Sequence, residues 1–223
     1  MGATGFVALV TVVATIGLAV RVGIVKRRGA RLLRQYHEAF ERGDADEAER
    51  VRDTLERMFP QTNDRRLIGE AELLILRERW AEARDVLERI KREHLPMINR
   101  PGILNNLAYT TAHAGDPAKG IELARKALAE AKRQGEKYPE TKVASIRGTL
   151  GIALSLGGKH HEAIEVLEAL KNESGTSRSR AARAYFLGES LRAAGKADRA
   201  RTAYATAAAL DGKWAERARA RIE

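Results

Sequence analysis

The 223-residue chain has no cysteine. Disulfides, thiolate metal sites, iron–sulfur clusters and a cysteine nucleophile are therefore excluded, and the redox compartment is left open. Aromatic residues are scarce, at 5%. With alanine, leucine, arginine and glutamate dominant, this composition favours helices over strands. Neither GxxxxGK[ST] nor GxGxxG occurs, and Gly157-Gly158-Lys159 lacks the preceding loop of a phosphate-binding turn. Ser174, Ser177 and Ser179 have no base or nucleophile-elbow context. His160-His161 followed by Glu162 and Glu165 is the only local cluster of metal-capable residues. Adjacent histidines point in different directions, and no third ligand is recognisable beside them. The reading is of a protein without catalytic, cofactor or metal residues, and not an enzyme.

Forty Lys and Arg face thirty Asp and Glu, a formal net charge of +10. The excess is at the ends. Residues 1–28 carry four cations and no acid, residues 29–173 carry 25 of each, and residues 174–223 carry 11 cations and five acids. That distribution argues against a surface basic enough overall to bind nucleic acid.

Ala3 to Val20 is free of charge, and the apolar run resumes after Arg21 through Val25. At about 1.5 Å per residue, roughly 20 residues cross a hydrocarbon core of about 30 Å. Nothing basic precedes the run and Lys26, Arg27 and Arg28 follow it, the reverse of a secretory signal peptide. Residues 3–25 are thus expected to be an uncleaved transmembrane helix in the lipid bilayer. The basic flank places the N-terminus outside and residues 26–223 in the cytoplasm. Ala19 and Gly23 have a small-residue spacing compatible with close helix contact, so a homo-oligomer is possible on this reading.

The rest of the chain repeats. Small residues recur in pairs at an interval of twelve: Ala71/Ala83, Ala108/Gly120, Gly151/Ala163 and Gly188/Ala200, with Tyr36/Ala48 as an imperfect fifth. A turn signal lies between the members of each pair: Gly43-Asp44, Glu78-Arg79, Gly115-Asp116, Gly158-Lys159 and Gly195-Lys196. Apolar residues flank each small residue at helical spacing, among them Leu74, Leu87, Leu107, Leu154, Leu167 and Leu191. The pattern predicts helical hairpins whose axes approach at the small residues and whose larger residues bury against the next hairpin. The expected divisions are 1–28 (anchor and basic flank), hairpins at about 29–62, 64–97, 101–134, 144–177 and 181–212, and a capping helix over 213–223. Gln134–Glu140 and Asn172–Ser179 read as loops.

The segments 104–128, 149–170 and 185–210 resemble the tetratricopeptide repeat, through Leu150-Gly151, Leu187-Gly188, Ala163, Ala200 and Tyr204, with Pro60 as a closing proline. The first two units depart further: Gln35-Tyr36 replaces Leu-Gly, and Arg52 sits where a large apolar residue is usual. The resemblance implies an all-α, right-handed superhelical solenoid of about five pairs with a concave groove for a protein or peptide ligand. The layout is similar to bacterial inner-membrane tetratricopeptide proteins of envelope assembly. The implied role is a membrane-anchored scaffold or adaptor. Groove contacts are expected from Asn105, Asn106, Tyr109 and His113 on one first helix. Arg178, Arg180, Arg183 and Arg192 are the candidates for an acidic partner or, as the alternative reading, for nucleic acid through the basic C-terminal region.

Overall fold

The computed structural model of the chain describes residues 27–59, 62–173 and 175–222. Residues 3–25, the expected anchor, and the closing Pro60 lie outside them. Among the described residues, no helix is long and apolar enough to cross a membrane.

The described chain is helical, with no strand among the described residues. Residues 27–42 form α1. Then follow α2 (Ala45–Met58), α3 (Asn63–Leu76), α4 (Trp80–Glu88), α5 (Arg100–His113), α6 (Pro117–Arg133), α7 (Glu140–Leu156), α8 (His160–Ala169), α9 (Ser177–Ala193), α10 (Ala197–Ala208) and α11 (Lys213–Ile222). Helices α1/α2, α3/α4, α5/α6, α7/α8 and α9/α10 form consecutive hairpins. Each stacks on the next, α5 on α7 and α7 on α9 along one side, α6 on α7 and α8 on α9 along the other.

One turn closes all five hairpins. A residue one or two places past the first helix is left-handed: Gly43, Gly115, Gly158 and Gly195 at φ 76, 100, 71 and 72°, and Glu78 at 59°. The next N–H reaches five residues back, as in Asp44 N to Ala39 O, Arg79 N to Leu74 O and Lys159 N to Leu154 O, each at 2.9 Å. This pairing satisfies carbonyls that a helix end leaves bare. Asp44 and Asp116 then cap the following helices by accepting from Glu47 N and Lys119 N. In four of the five turns glycine takes the left-handed position at no steric cost; only Glu78 carries a side chain there.

The small residues sit where the helices touch. Ala71, Ala83, Ala108 and Ala163 are fully buried. A Cβ on Gly120 would lie 2.7 Å from Ala112 Cβ and 3.0 Å from Ala108 O. Gly151 is filled from across the hairpin by Leu167, 2.6 Å from a Cβ built there, and Gly188 by the Tyr204 ring, at 2.5 Å. The neighbour facing Gly151 and Gly188 is thus the residue sixteen on, one turn past the small-residue mate. Leu104, Ile146, Leu154, Leu167 and Leu191 carry the core between hairpins.

Two expected loops are shorter than the sequence implied. Gly135–Lys137 is a 3₁₀ turn and α7 begins at Glu140, because Tyr138 is buried against α6 and Pro139 sets the extended entry to the helix. Helix α9 begins at Ser177, where the Thr176 hydroxyl accepts from Ser179 N at 3.1 Å.

Candidate functional site

The last helix does more than cover the last hairpin. Trp214, Ala215 and Ala218 bury against α9 and α10. The other side of α11 crosses to the second hairpin. Lys213 Nζ donates to Leu76 O at 3.2 Å, and Arg217 Nη2 pairs with Glu78 Oε2 at 2.8 Å. Trp214 Nε1 donates to the Tyr109 hydroxyl at 3.3 Å. The side chain on the one non-glycine turn therefore anchors the end of the chain.

Around Trp214 lies an aromatic cluster drawn from three hairpin helices, α4, α5 and α9, and the C-terminal helix. His113 stacks on Trp80 at 4.5 Å and meets Tyr109 at 4.4 Å, Phe186 at 5.6 Å and Trp214 at 5.6 Å. Phe186 packs edge-on to Trp214 at 4.8 Å. Nε2 of His113 is buried without a hydrogen-bond partner among the described residues. Burial, and then the nearby Arg217 guanidinium, push the His113 pKa down to about 3, so the ring is neutral at ordinary pH. Burial pushes Tyr109 up to about 12. Of the expected groove residues, His113 and Tyr109 are thus already engaged by the chain's own C-terminal helix.

Trp214 borders two chambers on the concave side. The larger-walled one has a volume of about 450 Å³ and is walled by α1, α3, α5, α7, α9 and α11. It joins Asn105, Asn106 and Tyr109 of α5 to Arg178 and Arg183 of α9, with Glu72 of α3 and Ser145 and Thr149 of α7 on the remaining walls. The second chamber, also about 450 Å³, lies between His113, Ser155, His160, Glu189 and Arg192.

The four candidate arginines do not form one surface. Arg178 lines the first chamber, its guanidinium 5.2 Å from the Phe40 ring centre. Its Nη1 is buried without a partner among the described residues, and burial pulls its pKa down. Arg183 is 7% exposed; it runs past Gly148, where a Cβ would be 3.0 Å from its Cδ, and donates to Glu173 O at 3.1 Å. Arg180 is exposed on an outer cleft with Lys171 and Arg199, reached also by Arg183, and there Arg199 pairs with Glu168. Arg192 points to the second chamber and pairs with Glu189 at 3.2 Å. A nucleic-acid backbone needs a continuous cationic track. These four side chains, divided among three places, do not supply one.

Glu72 was absent from the sequence candidates. It accepts from the Tyr36 hydroxyl at 2.7 Å. Burial raises the pKa of this carboxyl and, with Glu72 beside it, that of Tyr36 as well. Trp80 and Phe40 were likewise missed. Their roles depend on which hairpins meet across the concave face, and no local spacing marks that. Among the described residues no three His, Asp or Glu side chains converge as a metal set. The arrangement offers ion pairing, amide hydrogen bonds and aromatic contact, the chemistry of binding.

No known family's sequence profile matches the chain, and no curated protein matches it. Solved structures do. One is a crystal structure of nearly identical TPR-like repeats assigned to a kinesin light chain of Podosopora anserina. It is 18% identical over 87% of this chain and 98% of its own, with a TM-score of 0.48. A single-residue variant of that protein is 20% identical over 86% and 94%, also at 0.48. The resemblance is remote, and the reading of this chain rests on its own hairpins and chambers.

Proposed function

We propose that this chain is a tetratricopeptide-type scaffold, tethered to a membrane by residues 3–25, that holds a protein partner on the concave side of its solenoid. The observation that supports partner binding most is the first chamber. It gathers polar side chains from every first helix, and two of them, Asn105 and Arg178, have a buried polar atom with no partner among the described residues. A stacked hairpin array builds such extended surfaces from residues far apart in sequence. Tethering is supported by the apolar run and by Lys26, Arg27 and Arg28 after it. On that polarity the solenoid faces the cytoplasm, and the cell context that fits is a bacterial inner membrane, with a role in assembling an envelope or membrane complex.

The test is site-directed photo-cross-linking of the full chain in membranes. A photoreactive residue at Asn106 should trap a discrete partner, and one at the exposed Glu165 should not. Cross-linking from Glu165 alone would overturn the concave-face reading. Topology is tested separately: Gly2→Cys should label from outside, and Lys196→Cys only after permeabilisation. The reverse pattern removes the positive-inside argument.

A further inference from the structure

We infer that the outer cleft between α8 and α10 holds the phosphate and the first acyl carbons of an anionic phospholipid. The inference is independent of the concave-face reading and draws on the membrane tether only for the source of the lipid.

The cleft exists because small side chains leave it unfilled. Helices α8 and α10 both pack on α9. Between them, Ala184 of α9 and Thr202, Ala203 and Thr206 of α10 line a gap of about 160 Å³. Its floor is apolar, made by Leu167 and Leu170 at the end of α8 and by Leu187 and Leu191 of α9.

The rim is cationic. Lys171, Arg180, Arg183 and Arg199 border the cleft, and Glu168 is the one acid among the described residues that line it. The second helices of earlier hairpins are bridged by matched charges, Lys119 with Glu88 and Arg125 with Glu162. In the last gap Arg199 makes the corresponding pair with Glu168. Lys171, Arg180 and Arg183 are additional, and none of them has a carboxylate within ion-pair distance among the described residues. Arg183 Nη2 donates instead to the Glu173 carbonyl. Burial pulls the Arg183 pKa down, Arg180 adds to that effect, and Glu173 opposes it. An anion between the two guanidinium groups relieves their repulsion.

Rim and floor together select the ligand. Guanidinium groups meet phosphate oxygens with two parallel hydrogen bonds, and the lysine adds a compact charge. The stems of such side chains lie along apolar surface while their heads reach water, so charge and floor are adjacent. A nucleic-acid backbone answers the cations and leaves the leucines bare. An Asp or Glu side chain carries its charge on a stem of one or two methylenes and adds little to the floor. A phospholipid joins its phosphate to long apolar chains and answers both. A basic site held beside a bilayer meets anionic headgroups at high local concentration.

The experiment is native mass spectrometry of the full chain released from uncharged detergent micelles, after titration with dioleoyl phosphatidylglycerol or dioleoyl phosphatidylcholine. It is run on wild type and in a Lys26→Gln, Arg27→Gln, Arg28→Gln background, which removes lipid held by the basic flank. One phosphatidylglycerol should remain bound in that background, and phosphatidylcholine should bind roughly tenfold more weakly. Adding Lys171→Gln and Arg180→Gln should weaken phosphatidylglycerol roughly tenfold or more. Ala184→Leu, which fills the floor and keeps every cation, should weaken it too. Arg192→Gln, in the second chamber of the concave side, should leave it unchanged. Circular dichroism checks that each variant folds; if the Lys171→Gln, Arg180→Gln pair does not, Arg180→Gln alone decides. Equal retention of the two lipids overturns the proposal. So does full displacement by inorganic phosphate with Ala184→Leu silent, which leaves a simple phosphate site. Displacement by a Glu-rich dodecapeptide, with neither lipid preferred, reassigns the cleft to an acidic protein segment and overturns it as well. A reversed result in the topology labelling changes which leaflet supplies the lipid, not whether the cleft binds it in micelles.

Discussion

His113 carries a cost that grows in acid. It is held neutral between Trp80 and Trp214, with a pKa near 3, lowered by burial and then by the Arg217 guanidinium. In the unfolded chain the ring titrates near 6.5. The folded pKa of this base is depressed, so unfolding takes up a proton that folding refuses. Its contribution is intact above about pH 6.5 and is lost as pH falls towards 3, by at most about 1.4 kcal/mol per unit. His113→Phe removes the titration. The stability of the variant relative to wild type should therefore improve by up to about 2 kcal/mol between pH 7.5 and pH 5 in urea unfolding. An unchanged difference would mean that the ring is not held neutral. Two glycines in helices give a sharper contrast. Gly102 has nothing within 4 Å of a built Cβ, and Gly188 has Tyr204 at 2.5 Å. The Tyr204 ring is in turn fixed by its hydroxyl on Glu189 at 2.6 Å. Gly102→Ala should stabilise by up to about 1 kcal/mol through backbone entropy, whereas Gly188→Ala should destabilise by about 1–3 kcal/mol through overpacking.

At the level of elements, the hairpin is where sequence and structure correspond most directly. Gly115-Asp116 is an example: glycine takes the left-handed position, and aspartate caps the next helix. Both effects are local, so residue type and position in the chain suffice to expect them. The same holds for the interval of twelve, because a tight turn fixes which residues of its two helices meet. What the interval did not reveal is that Gly151 and Gly188 are filled by Leu167 and Tyr204 rather than by the small residues twelve on. That detail follows from side-chain direction along the helix. Ala163 remains the sharpest test of the pairing, being fully buried in α8. Ala163→Leu should cost about 1–3 kcal/mol. Glu165→Leu, two residues on and exposed, should stay within about 0.5 kcal/mol. Equal urea midpoints for the two variants would dissolve the register.

For the whole molecule, the deciding contacts join residues 105, 137 and 139 positions apart: Trp214 with Tyr109, Lys213 with Leu76, Arg217 with Glu78. No periodicity in the chain announces them. Trp214 fits the apolar stripe of a capping helix, and it does bury against α9 and α10. Whether that helix also meets the second hairpin depends on curvature accumulated over the intervening hairpins. For the same reason the arginines from 178 to 192 form a run in sequence but are spread over two chambers and an outer cleft in space. The closure has two parts of unequal strength. Arg217 and Glu78 form a partly exposed ion pair, with side chains 43% and 21% accessible, and such pairs contribute about 1 kcal/mol or less. Trp214 is 6% exposed, packed against Tyr185, Phe186 and His113, and truncating a buried tryptophan costs about 3–5 kcal/mol. Trp214→Ala should therefore destabilise far more than Arg217→Ala. It should also abolish most of the acid sensitivity assigned to His113, because water then reaches the ring. The double variant with His113→Phe should cost less than the sum of the two single losses, as residues in contact do. If Trp214→Ala costs no more than Arg217→Ala, the aromatic cluster does not hold the solenoid closed, and the division of the concave side into two chambers goes with it.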